Sequence, residues 1–249
     1  MNINTENIVI LYRSGLCDRE IGDIFGYDRA VINRIRLKSG ISRTRSEYQT
    51  LRWSKQPKQN CNLEKLLTWS SQKAYFLGFL QGDGFFCRGT NKVGTTIHKK
   101  DAYLLTEIKD YFQIKAKIRK YVSGYGSPMR NLTIENKKLK EAYQDLGLKV
   151  EKIVQIMPNK YFWDFFTGWF DADGSISQNT KSRKYGISIC GDFKQLKALR
   201  TRLGLCDKKI CKDKTIHRLF LPLKFMRENR NKMYRVFGLE RKKKLVFAC

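Results

Sequence analysis

Two apolar segments of this chain end in the same acidic pattern. Residues 75–86 read YFLGFLQGDGFF, residues 165–176 read FFTGWFDADGSI, and the two match position by position, so that Asp83 corresponds to Asp173. Internal similarity of this kind indicates a duplicated structural unit. The chain is therefore predicted to contain two copies of one unit, each with a helix that ends at an aspartate.

The segments that follow each copy also correspond in order and type. In the first half, β-like runs occupy residues 85–89, 92–98, 115–122 and 129–135, and helical patterns occupy 101–112 and 137–147. The second half repeats this order between residues 175 and 234. Each half is predicted to be αββαββα, because period-two runs indicate strands and longer amphipathic runs indicate helices. The predicted fold class is α+β, with two pseudo-symmetric halves.

The first 45 residues are typical of a small all-α domain instead. Asp18 and Asp28 are candidate helix caps, Gly26 is a candidate helix end, and apolar residues recur at helical spacing. The short turn before Asp28 resembles that of helix-turn-helix units, with residues 28–38 as the recognition helix in a DNA major groove. The predicted DNA contacts here are Arg29, Asn33, Arg34, Arg36, Lys38, Arg43 and Arg45. A plain three-helix bundle with a solvated basic face is the alternative.

Residues 46–63 lack sustained periodicity and are predicted to be a basic linker, which either is solvated or follows a DNA groove. The two repeats are then predicted to occupy residues 64–155 and 156–249.

The charge of the chain indicates a polyanionic partner. Its 249 residues include 50 Lys and Arg against 23 Asp and Glu, a formal net charge of +27. This excess favours nucleic acid, although a merely soluble surface would also be cationic. No apolar run suits a membrane span, and the first residues do not resemble a secretory signal. We therefore expect no membrane partner and an intracellular location, in the cytoplasm of a bacterium or phage-infected cell or in an organelle.

The seven cysteines are scattered without a C-x-x-C pair, which indicates reduced thiols. Cys206, Cys211 and His217 match no closed zinc-binding pattern, so ordinary thiols are the favoured interpretation.

The helix of each copy carries small residues one turn apart on one face. These are Gly78 and Gly82 in the first copy, and Gly168 and Ala172 in the second. Two such faces allow helix backbones to approach closely, so the two helices are predicted to cross here.

Crossing would bring Asp83 and Asp173 side by side at the helix ends. A carboxylate at a helix C-terminus loses about 0.3 to 1 kcal/mol to the helix dipole, and two facing carboxylates also repel each other. A bound divalent cation, Mg²⁺ before others, resolves this conflict. Solvated aspartates in ordinary Asp-Gly turns are the alternative for either copy taken alone.

Both segments resemble the signature helix of the LAGLIDADG homing endonucleases. The second copy, FTGWFDADG, fits closely, whereas the first, FLGFLQGDG, has Gln81 where the pattern has an acid but keeps Asp83 at the metal-ligand position. The resemblance covers about residues 64–247. Two copies in one chain resemble the monomeric branch of that family, whose two halves form a saddle of antiparallel sheets and recognise long, asymmetric sites in double-stranded DNA.

The resemblance also implies a mechanism. Asp83 and Asp173 would hold Mg²⁺ or another divalent cation, and one phosphodiester would be hydrolysed in each strand across the minor groove. Lys137 and Lys224 resemble the active-site lysine of the family, with solvated lysines as the alternative. Lys99 resembles a residue that orients active-site water. The second half has Cys190 and Gly191 instead, which puts equal cutting of the two strands in question.

The strands of the saddle would follow the DNA major groove. The predicted contacts there are Arg88, Lys92, Thr96, Arg119, Arg130, Ser177, Lys184, Ser188 and Lys212. A register shift of one residue would reverse the faces of any strand, so the side chains that face the bases stay undetermined at this point. The basic segment at residues 240–244 either contacts phosphates or is solvated.

Two other functions fit the same scaffold. A DNA-binding regulator would keep the fold without cutting, and a maturase would bind host intron RNA. The aspartate pair favours an endonuclease, because a pure binder has no use for two carboxylates at unfavourable helix ends.

Overall fold

A computed structural model describes residues 5–47, 60–178, 185–213 and 215–248 of the chain. The chain divides into two compact units, Met1–Lys58 and Gln59–Cys249. Most of the predicted linker, residues 48–59, lies outside the described part, as does Lys184.

The described part of the first unit includes the helices α1 (Thr5–Arg13), α2 (Asp18–Phe25) and α3 (Arg29–Lys38). Their core consists of Ile8, Tyr12, Ile21 and Ile32.

Asp28 caps α3 as predicted, because its carboxylate accepts a hydrogen bond from the Ala30 amide at 2.7 Å. The prediction for α2 is wrong by one residue. Its cap is Cys17, whose amide donates to the Glu20 carboxylate at 2.6 Å, and Asp18 is the first helical residue.

The second unit contains the two repeats. The first half comprises α4 (Leu63–Leu67), α5 (Ser71–Asp83), β1 (Gly84–Phe86), β2 (Lys92–His98), α6 (Tyr103–Tyr111), β3 (Arg119–Val122), β4 (Pro128–Glu135) and α7 (Lys137–Asp145). The second comprises α8 (Lys152–Ile156), α9 (Phe162–Asp173), β5 (Gly174–Gln178), β6 (Tyr185–Gly191), α10 (Phe193–Arg202), β7 (Ile210–Asp213), β8 (Ile216–Phe220), α11 (Leu223–Asn229) and α12 (Glu240–Ala248). The series α5 to α7 and α9 to α11 are both αββαββα, which confirms the predicted fold class.

Each half has one antiparallel four-stranded sheet. The strand orders are β1-β2-β4-β3 and β5-β6-β8-β7, so the two sheets share one topology. Val93 and Ile97 of β2 are buried on one face of the first sheet, and Ile187 and Ile189 of β6 are buried on one face of the second. The opposite face of each sheet carries the polar alternates and is called the open face here.

The helices α5 and α9 lie at the centre of the second unit. Both are buried on all sides along most of their length, at residues 73–81 of α5 and 164–171 of α9, and their aromatic side chains, among them Tyr75, Phe79 and Trp169, belong to one continuous core with both sheets. A helix covered on all sides by other helices and by sheets carries apolar residues on every face, as these two do. Among the described helices, none combines the length and apolar character that crossing a membrane requires.

Candidate active site

The backbones of α5 and α9 touch at their small residues. A β-carbon on Gly78 would lie 1.9 Å from the carbonyl oxygen of Phe165, and one on Gly168 would lie 2.0 Å from that of Tyr75. One turn later, a β-carbon on Gly82 would lie 2.4 Å from the β-carbon of Ala172. No side chain fits in these spaces, so glycine is what allows the two helices to cross here.

The crossing brings the ends of both helices together. Asp83 and Asp173 are the last residues of α5 and α9, and a β-carbon on Gly82 would lie 2.8 Å from the Asp173 carboxylate. Gly84 and Gly174 begin the strands that follow, in extended rather than left-handed conformations. They are required for space, because a β-carbon at either position would lie 2.3 Å from a carbonyl oxygen of the preceding helical turn.

Both carboxylates have a pKa above the ordinary value of an aspartate. Partial burial, followed by the charge of Asp173, raises the pKa of Asp83 to about 6. Asp83 is open to solvent, so water screens part of this effect. Burial also raises the pKa of Asp173, against the lowering effect of Lys149 and the Trp169 side chain. Each carboxylate is therefore harder to ionise than a free one and would be stabilised by an added cation.

The donor set fits a hard divalent cation. Among the described residues no cluster of three His, Cys, Asp or Glu side chains could hold a metal ion, so the protein would supply two carboxylate groups, those of Asp83 and Asp173. Mg²⁺ commonly binds through one or two carboxylates with water and phosphate completing its octahedral shell. Asp83 and Asp173 therefore suit an ion that shares its coordination with a phosphate.

Lys149 lies against the end of α5. Its ammonium group donates to the carbonyl oxygens of Gln81 at 2.9 Å and Gly82 at 2.5 Å. Its backbone has a φ of 75°, a left-handed conformation that is uncommon for a residue with a side chain. The Gln81 side chain and the Gln195 side chain hold this conformation by bonding its amide at 2.7 Å and its carbonyl at 2.5 Å.

Lys242 lies against the end of α9 in the same way. Its ammonium group donates to the carbonyl oxygens of Phe170, Asp171 and Gly174 at 2.9, 2.7 and 2.6 Å. Burial lowers the pKa of Lys242 to about 8, and the charge of Asp171 opposes that shift. Both lysines thus place positive charge where a helix dipole is negative.

Neither lysine was among the predicted catalytic residues. The basic segment at 240–244 was expected to be solvated or to contact phosphate, but it forms the first turn of α12 and buries Lys242. The available signal was the apolar spacing of Leu239 and Val246 around it, which indicates a packed helix.

The structure places Lys137 and Lys224 at exposed positions, and their role as active-site lysines stays a prediction. They lie in the first turns of α7 and α11, with side chains 71% and 88% exposed, and pair with Glu141 and Glu228 four residues later. Neither is among the charges that act on Asp83 or Asp173.

The register of the first sheet shows why Lys137 lies away from Asp83. This residue follows the end of β4, where Glu135 pairs with Lys92, whereas Gly84, next to Asp83, pairs with Thr95. Those two positions on β2 are three residues, or about 10 Å, apart.

Lys99 is exposed and begins a 3-10 turn, Lys99–Asp101, in which the buried Asp101 forms an ion pair with Arg241 at 2.9 Å. Arg241 in turn lowers the pKa of Asp83. The structure gives no direct contact between Lys99 and either aspartate.

Strand register shows which of the predicted DNA contacts lie on the open faces of the sheets. Arg119 pairs with Asn131, and Lys92 lies on the same open face as Thr96. Lys92 also forms an ion pair with Glu135 at 3.7 Å.

Two predicted DNA contacts lie on the buried faces of the sheets. Arg130 pairs with the buried Ile97, and Lys212 shares the face of Ile210 and Leu219, so neither lies on an open face. A third, Ser188, is on the open face but is 4% exposed. Arg88 and Ser177 are exposed. Strand alternation places His98 and Arg218 on the open faces as well, and neither was predicted from the sequence.

Two of the predicted DNA-binding arginines of the first unit are structural. The buried Arg36 donates to both carboxylate oxygens of Asp18, at 2.9 and 3.1 Å, and to the side-chain oxygen of Asn33 at 2.6 Å. Arg43 donates to the Tyr12 and Leu16 carbonyls and covers the Tyr12 ring at 3.8 Å. The prediction that Arg36 and Arg43 face DNA is corrected, because their guanidinium groups donate inside the unit, whereas Asn33 uses only its side-chain oxygen there and stays a predicted contact.

The other four predicted contacts of this unit are exposed: Arg29, Arg34, Lys38 and Arg45. They remain available for phosphate contacts.

Comparisons with known proteins give structural matches only. A scan against protein-family models found no match, and neither did a search of curated proteins. A search of solved structures matched the homing endonuclease I-WcaI bound to its DNA recognition sequence, with 15% identity over 66% of this chain and 83% of that chain, at a TM-score of 0.48. It also matched the LAGLIDADG meganuclease I-CpaMI bound to uncleaved DNA, with 12% identity over 72% and 89% of the chains, at 0.45. A variant of I-DmoI in complex with nicked target DNA matched with 19% identity over 66% and 94%, at 0.46. These scores lie below 0.5, and the function is inferred from the site itself.

Proposed function

We propose that this chain is a site-specific, double-stranded DNA endonuclease of the homing type, which hydrolyses one phosphodiester in each strand with the help of Mg²⁺. The observation that carries the proposal is the meeting of two helix ends that bear Asp83 and Asp173 and are covered by Lys149 and Lys242. Two carboxylates of raised pKa beside two ammonium groups are suited to a phosphate and its counter-ion, and they serve no evident purpose in the stability of the fold.

The side chains divide the chemistry between them. A divalent cation held by Asp83 and Asp173 would lower the pKa of a bound water and stabilise charge on the phosphate and the leaving 3′ oxygen. Lys149 and Lys242 supply fixed positive charge close to that phosphate, where negative charge accumulates as the bond breaks. The duplication supports two cuts, because each strand of a duplex would meet one aspartate and one lysine of the site.

The charge distribution supports DNA as the substrate. The net charge of +27 favours a polyanion, and the open faces of the two sheets offer Arg119, Lys92 and Arg218 at positions that a duplex can reach. The exposed Arg29 and Arg34 of the first unit would extend the footprint if this unit binds as a helix-turn-helix. We expect the chain to act as a monomer and to recognise a long, asymmetric DNA site.

A non-catalytic regulator and an intron RNA maturase stay as alternatives without an observation that favours them. A regulator would leave the aspartate pair unexplained. Contacts with host intron RNA would be additional to DNA cutting rather than a replacement for it.

One experiment tests the reaction and the substrate together. The purified full-length chain is incubated with a library of duplexes that carry a randomised central segment, with Mg²⁺ or with EDTA, and the ends produced are sequenced. We expect one family of related sites, cut in both strands only with the metal. Random ends, or no ends at any divalent cation tested, would contradict the proposal.

A further inference from the structure

Asp171 occupies the first acidic position of the second motif, two residues before Asp173, and its carboxylate faces away from solvent. It accepts hydrogen bonds from the Tyr75 hydroxyl at 2.7 Å, the Tyr234 hydroxyl at 3.0 Å and the Leu239 amide at 2.8 Å. The residue is 1% exposed. A carboxylate buried to this extent is tolerated only because three donors satisfy it.

These bonds fix the segment that carries Lys242. Leu239 lies immediately before α12 and three residues before Lys242, so its bond to Asp171 anchors the start of that helix. The Tyr103 hydroxyl anchors the same segment by accepting from the Glu240 amide at 2.6 Å. Because these residues belong to the same helical turn as Lys242, fixing them also fixes the backbone of Lys242, from which its ammonium group reaches three carbonyl oxygens.

The first half lacks this arrangement at the corresponding positions. Gln81 replaces Asp171 and accepts only from the Lys149 amide, at 2.7 Å, while its side-chain nitrogen has no hydrogen-bond partner among the described residues. Phe165 stands where the first half has Tyr75, so no hydroxyl from α9 can reach Gln81. An acid at position 81 would lack the donors that Asp171 has, which accounts for the glutamine.

The two lysines differ accordingly. Lys242 donates all three of its ammonium hydrogens to carbonyl oxygens, whereas Lys149 bonds two carbonyls within the described part of the chain. Lys242 stands on a helix, and Lys149 stands on a left-handed loop residue.

We propose that Asp171, held by the hydroxyls of Tyr75 and Tyr234, is a positioning residue for Lys242, and that the two DNA strands are cut by centres of different construction. One strand depends on this hydroxyl-held carboxylate, and the other depends on Lys149 and Gln81. The inference rests on the proposed endonuclease function.

The test measures each strand separately on a duplex that carries the selected site and a different label on each strand. Lys242→Met and Lys149→Met first identify the strand that each lysine serves. The double variant Tyr75→Phe and Tyr234→Phe should then slow the Lys242 strand by about tenfold or more, as expected for a misplaced catalytic group, and leave the other strand within about twofold. Nicked DNA should accumulate.

The matched control is Tyr143→Phe. Tyr143 is also fully buried, and its hydroxyl donates to the Leu66 carbonyl at 3.2 Å, away from both lysines. Loss of a purely structural hydroxyl lowers the fraction of folded protein and so slows both strands together, which leaves their ratio unchanged. Equal slowing of both strands, or no slowing, in the double variant would overturn the inference. A wild-type chain that binds the site but cuts neither strand would overturn the proposed function as well.

Discussion

Lys242, in the second half of the repeat, is the leading favourable charge on Asp83, which ends the helix of the first half. The reverse also holds, because Lys149 of the first half precedes Lys242 among the charges that favour ionised Asp173. Each carboxylate is thus balanced mainly by the lysine of the other repeat. The candidate active site is therefore shared between the halves, and neither half contains a complete set of charges.

Replacing either of these lysines should impair DNA cutting. We expect Lys149→Met or Lys242→Met to lower the rate of double-strand breakage by about 10²-fold, the usual effect of removing one group that stabilises a charged transition state. Lys137→Met and Lys224→Met, which remove exposed lysines paired with glutamates, should cut at nearly the wild-type rate. Single-turnover assays on the selected site would show the difference. Slower cutting by Lys137→Met and Lys224→Met than by the Lys149 and Lys242 variants would instead support Lys137 and Lys224 as the active-site lysines.

The helix crossing should tolerate no added methyl group. Gly78→Ala and Gly168→Ala would place a β-carbon about 2 Å from a backbone carbonyl, so the helices would have to separate. Overpacking of this kind costs about 1 to 3 kcal/mol or more in the free energy of unfolding. Urea titration of each variant measures that loss. Gly124→Ala, where a β-carbon meets nothing within 4 Å, is the control and should change stability by less than about 0.5 kcal/mol. Equal stability of all three variants would argue against a tight crossing.

The sequence predicted the parts of this site that depend on local pattern. The repeat located Asp83 and Asp173, and small residues at helical spacing located the crossing. The lysines were missed because their positions depend on tertiary contacts: Lys149 is fixed by the Gln81 side chain, and Lys242 by the packing of α12. In a chain with 50 basic residues, spacing alone cannot select two of them.

The sequence also did not predict which face of a strand a side chain lies on or which arginines are buried. Arg130 and Arg119 both looked like groove contacts, but the register places them on opposite faces of one sheet. Arg36 looked like an exposed residue of a basic helix, and only the position of Asp18, eighteen residues earlier, shows that it is an internal partner. Both errors concern long-range pairing, which hydrophobic periodicity does not encode.

Lys73 should make stability depend on pH in the alkaline range. It is 2% exposed, donates to the Leu67 carbonyl and covers the Trp69 ring at 4.3 Å, and burial lowers its pKa to about 8. Between about pH 8 and the ordinary value of 10.5, the unfolded chain therefore binds more protons at this residue than the folded chain does. Stability contributed by Lys73 rises with pH across that window and is lost below it.

The comparison of wild type with Lys73→Met isolates this contribution, because the other groups titrate in both proteins. The free energy of unfolding of wild type, relative to the variant, should increase from pH 8 to pH 10. A constant difference across that range would show that the amine is not desolvated in the folded chain.

Arg36 and Arg34 should have opposite roles, although they are neighbours on α3. Arg36→Ala leaves the partly buried Asp18 without its partner and should destabilise the first unit by about 1 to 3 kcal/mol. Hydrogen exchange of residues 5–47 in the full chain would show this as faster exchange. Arg34→Ala should leave exchange unchanged, and if the unit binds DNA it should reduce the salt dependence of binding by about one unit of slope. Normal exchange in Arg36→Ala would show that the pair with Asp18 is not structural.

The most direct test of the central claim is the cutting and binding of the selected site by Asp83→Asn and Asp173→Asn. The exchange keeps the shape of each side chain and removes the charge that would hold a divalent cation. We expect both variants to bind the DNA at least as tightly as the wild type, because a repulsive charge is lost, and to produce no double-strand breaks. Wild-type cutting rates in either variant would contradict the assignment of this aspartate pair as the catalytic centre.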